Sequence, residues 1–371
     1  MNGKRKVLFV LPNLFGGGAE RVFTYLFNNI NREEFETHLA LGDRTGAYVN
    51  DIKSDVTLHE LKGERARNAI PSLVKLVRAL KPDVVFSTLG MNFANSLGRK
   101  FYPRGTRVLL REGNSVIAFL EDVARESPIK ALFYRQVYRN IYNFADAIIC
   151  QSDFMLRDMA DNLGVPETKL HRIHNPVDFE NIDRLANEKG EDIFPKDKFN
   201  FISIGKLKHP KGFDILLRAF AAARTVNPHL ELTILGDGEE RQSLENLKRE
   251  LNLNGSVRMP GFEANPYVYL KHADAFVSSS RYEGFANVIV ESLACGTPVV
   301  ATDCPSANRE VLVESVNGWF AETENVDSLA QAINKAVGEV KNIDRAKIRE
   351  NCESRFALKQ ILPHYERLLQ S

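Results

Sequence analysis

Hydrophobic positions along this chain alternate between short continuous runs and stretches in which apolar residues recur every three or four positions. Short apolar runs bounded by turn residues read as buried strands, and the other spacing as amphipathic helices. In the first half, strands are expected at Lys6–Leu11, Thr37–Leu41, Val84–Ser87, Val108–Leu110 and Ala147–Cys150, with helices such as Ala19–Ile30 and Pro71–Leu80 between them. The second half repeats the rhythm. Strands are expected at Phe201–Gly205, Leu230–Gly236, Ser256–Met259, Ala275–Ser278 and Pro298–Thr302. Helices are expected at Gly212–Arg224, Glu239–Leu251, Pro266–His272, Val326–Val337 and Ile343–Ser354.

This alternation predicts an α/β protein whose parallel sheets are covered by helices. A chain of 371 residues is long for a single core and suits two Rossmann-like, doubly wound domains with a cleft between them. Hydrophobic periodicity lapses in the polar run Phe179–Lys198. We therefore place the first domain at residues 1–180, a linker at 181–198 and the second domain at 199–354. A last helix near Leu358–Leu369, within residues 355–371, is expected to cross back onto the first domain.

Composition narrows the reading little, because the formal net charge is only +1. The distribution of charge says more. Between Leu61 and Arg111 there are eleven basic residues against two acids, a local basic surface that includes Arg99, Lys100 and Arg104. Beyond it, Leu132–Tyr142 mixes aromatic residues with arginines at helical spacing, as helices lying on a membrane surface do; a packed helix with solvated arginines fits equally well. The four cysteines show neither C-x-x-C pairing nor histidine partners at metal spacing, so a reducing compartment and no structural zinc are expected. The first apolar run is too short for a signal peptide or a spanning helix. A cytoplasmic protein is expected, with any membrane contact peripheral.

Ligands of open parallel sheets bind beyond the carboxyl ends of the strands, and the candidate residues lie just after predicted strands. The richest stretch runs from Ser280 to Ala301 and holds Glu283 and Glu291 with seven residues between them, the first beside a glycine turn and the second in an apolar helix pattern. A helix that follows such a turn presents backbone N–H groups and a positive dipole end, which suit phosphate. Carboxylates there are suited to accepting hydrogen bonds from sugar hydroxyls. Together these features point to a nucleotide-sugar, although acids in a first helical turn and a Gly-Thr-Pro helix stop also occur without any ligand. Lys206 and Lys211, between Gly205 and Gly212, place cations at another strand-to-helix junction, where they would neutralise a diphosphate leaving group. Gly16-Gly17-Gly18-Ala19-Glu20-Arg21 follows part of a dinucleotide fingerprint, but Arg21 stands where its third glycine belongs.

This set, with Asn175-Pro176-Val177-Asp178, Gly236-Asp237-Gly238 and Glu283-Gly284-Phe285, resembles the family 4 retaining glycosyltransferases of GT-B fold over nearly the whole chain. The resemblance implies that Glu291 binds the ribose hydroxyls and Glu283 the donor sugar, while Lys206 and Lys211 hold the diphosphate. Backbone N–H groups at Gly284, Phe285, Ala286 and Asn287 would meet sugar or phosphate. Gly205 and Phe262 fall in donor-binding stretches, and Gly17 and Gly18 would face the diphosphate from the first domain. The family usually carries arginine where this chain has Lys206, and many members have a histidine where it reads Arg111-Glu112-Gly113-Asn114. Arg111, Glu112 and Asn114 are then candidates for orienting acceptor or sugar, or form an ordinary strand-end turn.

The implied reaction moves a hexose or N-acetylhexosamine from a nucleoside-diphosphate sugar, UDP by the family's habit, to a hydroxyl with retained configuration. The expected acceptor is a glycan, lipid-linked and at the inner face of the membrane. No metal, cofactor or nucleic acid is expected. A nucleotide-sugar epimerase and a non-catalytic sugar-nucleotide-binding protein are the rival readings.

Overall fold

The computed structural model describes residues 3–63, 66–113, 115–188 and 193–371. In chain order the first elements are β1 (Arg5–Leu11), α1 (Gly18–Asn29), β2 (Phe35–Leu41), β3 (Thr57–Glu60), α2 (Ala66–Leu80), β4 (Val84–Thr88), α3 (Met91–Gly98), β5 (Arg107–Arg111), α4 (Val116–Glu126), α5 (Pro128–Asn143), β6 (Ala147–Cys150), α6 (Asp153–Arg157) and β7 (Leu170–Arg172). There follow α7 (Phe179–Ala186), β8 (Phe199–Ile204), α8 (Phe213–Val226), β9 (Leu230–Leu235), α9 (Arg241–Glu250), β10 (Val257–Gly261), α10 (Tyr267–His272) and β11 (Ala275–Ser278). The chain ends with α11 (Asn287–Ala294), β12 (Val299–Thr302), α12 (Asn308–Val311), β13 (Gly318–Ala321), α13 (Val326–Glu339), α14 (Arg345–Phe356) and α15 (Leu358–Gln370).

The chain divides into two compact units, residues 1–176 with 358–371, and residues 177–357. Among the described residues the first unit holds a seven-stranded parallel sheet in the order β3-β2-β1-β4-β5-β6-β7. Alternate residues of its central strands bury on opposite faces. Val7, Phe9, Phe86, Leu109 and Ile149 meet α1 and α15 on one side, while Leu8, Val10, Val85, Leu110 and Ile148 meet α2 to α5 on the other. Near-continuous apolar strands follow from burial on both faces.

The second unit carries a six-stranded parallel sheet ordered β10-β9-β8-β11-β12-β13. Here Phe201, Ile234 and Val277 face α8 and α13, whereas Ile202, Leu235 and Phe276 face α7, α11 and α14. Both strand orders reverse direction beside their first strand, and each reversal opens a crevice at the carboxyl ends.

The linker placed at residues 181–198 needs correction. Asp178 caps α7 by accepting from the N–H of Asn181, and Phe179, Ile182 and Ala186 bury one face of that helix in the second unit's core. Its three apolar residues lie at i, i+3 and i+7, a stripe that the surrounding Asn, Asp and Glu hide from a composition reading. Val177 also pairs with Ala357, and its N–H donates to the Phe356 carbonyl at 2.8 Å. The second unit therefore begins at residue 177. At the other end α15 belongs to the first unit: Ile361, Tyr365, Leu368 and Leu369 enter its core, Asn31 N–H donates to Glu366 and Arg107 to the Leu368 carbonyl.

Candidate active site

In the second unit three strand-end loops stack on one another, and glycine makes the stacking possible. A Cβ on Gly236, which has φ of 138°, would lie 1.9 Å from the Gly205 carbonyl oxygen, and one on Gly238 would lie 2.3 Å from that of Leu207. Leu207 N–H donates to the Asp237 carbonyl and Gly236 N–H to that of Gly261, so the loops after β8, β9 and β10 form one backbone network. Gly212 has φ of 62°, and a Cβ there would sit 2.2 Å from the Ser279 carbonyl oxygen. Only glycine lets the turn that carries Lys211 touch the end of β11.

That contact sets the chemistry. Lys211 Nζ pairs with the Glu283 carboxylate, which also accepts from Ser280 Oγ at 2.8 Å. Ser279 Oγ donates to the Lys211 carbonyl, Glu283 N–H to the Pro305 carbonyl and Thr302 Oγ1 to that of Ser280. Glu283 is thereby held in a buried loop with an ammonium in reach. Burial pushes the nearby Cys304 thiol up to about 11, the Glu283 charge adding to the effect, so this cysteine is no nucleophile near neutral pH.

Arg281 binds this corner together from below. Its guanidinium spans both Asp214 carboxylate oxygens (3.0 and 2.9 Å), Glu324 (3.0 Å) and the His209 carbonyl (2.7 Å), while its own N–H donates to Pro210. Burial works against the Asp214 charge, but the Arg281 hydrogen bond and charge hold its carboxyl below the ordinary value. Ser280, Arg281 and Asp214 escaped the sequence reading. Ser280 and Arg281 stand three and two residues before Glu283, the available signal, whereas nothing in the sequence marks Asp214 as their partner.

The remaining second-unit candidates take different positions. Glu291 is buried on α11, whose N-cap, Ala286, supplies no side-chain acceptor to the first turn that Gly284 and Phe285 lead into. The backbone N–H groups of that turn are left to other partners. Lys206 is exposed on the same loop as Lys211, and Phe262, after β10, is also largely exposed.

In the first unit, Gly17 precedes α1 and Gly18 opens it, with the Glu20 carboxylate folded against Gly17. The loop after β5 lies beside this turn, since a Cβ on Gly113 would be 4.0 Å from that of Ala19. The two loops named from sequence thus meet at one sheet edge. Arg111 is turned inward. Its side chain is buried, Nη2 donates to Asn175 Oδ1 at 2.6 Å, and burial lowers its pKa, opposed by Tyr365 and Glu112. Arg111 instead supports the loop, which corrects its assignment as an orienting residue. Glu112 accepts from Asn92 Nδ2 at 2.9 Å, and burial raises its carboxyl against the pull of Asn92, Tyr142 and Arg111. Asn114 lies outside the described residues.

The basic surface thins when its partners are counted. Arg111 is buried, Arg107 serves the C-terminal helix, Arg78 donates to the Phe101 carbonyl, Arg99 pairs with Asp146 and Lys100 stands over the Phe144 ring. No helix among the described residues is long and apolar enough to cross a membrane.

Both units also match known protein families. The family described as glycosyl transferases group 1 matches residues 186–355, and glycosyltransferase family 4 matches residues 16–181. The chain is 31% identical, over 96% of its length and all of the relative's, to the N-acetylgalactosamine-N,N'-diacetylbacillosaminyl-diphospho-undecaprenol 4-alpha-N-acetylgalactosaminyltransferase of Campylobacter jejuni. It is 28% identical, over 96% of both chains, to the lipopolysaccharide core biosynthesis glycosyltransferase LpsE of Rhizobium meliloti. Among solved structures, Anabaena HepE in complex with UDP superposes with a TM-score of 0.76 at 19% identity, covering 98% of this chain and 99% of that one. Sucrose-phosphate synthase from Thermosynechococcus elongatus gives 0.82 at 17% identity, covering 99% and 98%. This chain belongs to the family 4 glycosyltransferases and has the GT-B fold.

Proposed function

We propose that this glycosyltransferase moves a hexose or N-acetylhexosamine from a UDP-sugar to a hydroxyl of a lipid-linked glycan precursor, with retention of configuration and without a metal. The observation that carries the reading is the Lys211–Glu283 pair at the ends of β8 and β11, fixed by Ser280 and Gly212. In the free protein each charge neutralises the other. When a donor arrives, Lys211 turns to the diphosphate and Glu283 accepts hydrogen bonds from the sugar hydroxyls. Lys206 adds charge at the loop rim, and N–H groups from Gly284 to Asn287 meet the sugar or phosphate. Glu291 takes the ribose hydroxyls, and Phe262 covers the base edge.

Charge developing on the departing diphosphate is then met by ammonium groups and fixed N–H dipoles. The departing phosphate takes the proton of the attacking hydroxyl on the same face, so no enzymic nucleophile is assigned. In the first unit, Gly17 and Gly18 serve the diphosphate, and Glu112 orients the acceptor or the sugar. Support for the donor comes from HepE, solved with UDP, and for the acceptor from the Campylobacter relative, whose substrate is carried on diphospho-undecaprenol. With a nucleotide-sugar donor and a lipid-borne acceptor, the enzyme would work from the cytoplasm in peripheral contact with the inner membrane face.

A thermal-shift panel of nucleotides and sugar nucleotides tests the donor. A ligand at a hundred times its dissociation constant stabilises by about 2.7 kcal/mol. UDP and one UDP-sugar are expected to shift the melt, and Glu283→Gln to abolish transfer while keeping UDP binding. An unchanged transfer rate in Glu283→Gln, or no shift with any uridine nucleotide, refutes the assignment.

A further inference from the structure

The helical hairpin α4–α5 exposes apolar side chains where packing gives no reason for them. Ile129 is 83% exposed, Leu132 70% and Phe133 64%. They stand at i, i+3 and i+4, so they share one face of α5, and the buried Ile141 and Tyr142 belong to the opposite face. The other aromatics of the segment are accounted for. Tyr134 and Tyr138 pack on Phe119 at 5.9 and 6.3 Å between ring centroids, and Tyr138 stacks on Tyr142. Beside the exposed row an open groove of about 230 Å³ is lined by Ile117, Leu120, Ala124, Ala131 and Leu132, with Glu121 and Arg135 at its edge. A closed apolar cavity of about 150 Å³ already admits a benzene molecule, so this groove has room for part of an acyl chain.

Charge selects the occupant. Helix α5 carries Lys130 and Arg135 on either side of the apolar row and no acid, its Arg139 being tied to the Leu163 carbonyl, while the acids of the hairpin, Glu121, Asp122 and Glu126, all lie on α4, where Arg125 pairs with Asp122. An apolar row rimmed by cations matches the boundary between anionic headgroups and acyl chains. We propose that the α5 side of the α4–α5 crest is the membrane-docking surface of this enzyme, with Ile129, Leu132 and Phe133 entering the acyl region and Lys130 and Arg135 meeting anionic headgroups. The proposal takes from the lipid-linked acceptor the reason for a nearby membrane, and takes its location from the crest alone. It moves the contact away from Arg99 and Lys100, whose charges Asp146 and Phe144 already engage.

Flotation of the full chain with vesicles of phosphatidylglycerol and phosphatidylethanolamine, against phosphatidylcholine alone, tests the surface. Wild type is expected to float with the anionic vesicles at low salt and less so at high salt. The double variant Leu132→Glu, Phe133→Glu is expected to lower the partition coefficient by about tenfold or more, because each side chain loses its apolar burial. Lys130→Gln with Arg135→Gln should remove the anionic preference, and Arg99→Gln with Lys100→Gln should change little. The crest variants should keep the wild-type melting temperature and UDP shift, which shows that they fold and separates this test from that of the donor site. Vesicle binding by a chain that ignores UDP would sink the functional reading and leave the docking surface standing. Absence of vesicle binding, binding indifferent to Leu132 and Phe133, or self-association in solution that these substitutions abolish would overturn the docking proposal.

Discussion

Arg281 is the residue whose removal best separates positioning from chemistry, because its guanidinium is taken up by Asp214, Glu324 and the His209 carbonyl. Arg281→Met deletes two contacts to Asp214, one to Glu324 and one to the His209 carbonyl. A charge-assisted hydrogen bond contributes about 1.5–3 kcal/mol when shielded, but Asp214 and Glu324 keep about half of their side-chain surface in solvent, at 43% and 53%. Exposed pairs yield at most about 1 kcal/mol each, so we expect a total loss of about 2–3 kcal/mol in the second unit's stability, much of it from the His209 carbonyl. The turn at His209–Lys211 is then tied to Arg281 only by the N–H bond to Pro210. With Lys211 less well placed, UDP affinity should fall by about tenfold, a change of about 1.4 kcal/mol.

Isothermal titration with UDP and urea unfolding measure the two quantities. Arg281→Lys should recover less than half of either, since an ammonium cannot span Asp214 and His209 in one plane. The pH dependence has a definite sign. Asp214 titrates below its ordinary value in the folded protein, so its stabilising contribution is complete above the unfolded pKa and is lost as pH falls through the folded one. The wild-type advantage over Arg281→Met should therefore shrink in acid. Equal UDP affinity in wild type and Arg281→Met, or a difference independent of Asp214 in a double-mutant cycle, would refute the positioning role.

Gly212→Ala should destabilise the second unit by more than about 2 kcal/mol in urea unfolding and weaken UDP binding, since the left-handed backbone costs about 1–2 kcal/mol before the clash with Ser279 is added. Gly255→Ala, with open space at its Cβ, should stay within about 0.5 kcal/mol of wild type. Burial raises the folded-state pKa of Glu112, so wild type loses stability as pH rises from the unfolded value through the folded one; Glu112→Gln should remove that slope and melt higher than wild type at neutral pH. Lys206→Met should weaken UDP binding a few-fold at low salt and hardly at all at high salt, whereas Lys211→Met should cost about tenfold or more at both, because the exposed cation is screened and the seated one is not.

The parallel sheets were legible because strands buried on both faces leave unbroken apolar runs that polar neighbours cannot disguise. Ala147–Cys150 and Ala275–Ser278 have the limits read from sequence. The edge strands of the first sheet were lost for the converse reason. Thr57–Glu60 at one edge is exposed at both ends, and Leu170–Arg172 at the other spans three residues, so neither carries a period long enough to see. Helix α7 went unread because its stripe is three residues wide in a polar stretch, although Asp178 ahead of it is a strong N-cap signal.

The site was legible as residue types and illegible as contacts. Spacing brought Glu283 and Glu291 to notice, yet the partner of Glu283 lies 72 positions away in Lys211, joined through a fold contact that Gly212 alone permits. Arg111 shows the opposite failure. A cation at the end of a strand, between apolar neighbours and a glycine, looks the same in sequence whether it points at a ligand or inward. Its direction is set by Asn175, at the end of the first unit's main segment, and by Tyr365, on the helix that returns to that unit after the second. Strand-end cations in such a fold are therefore divided by long-range packing into those that turn inward to support a loop, as Arg111 does, and those that stay at the loop surface, where Lys206 is exposed and Lys211 is held by Glu283.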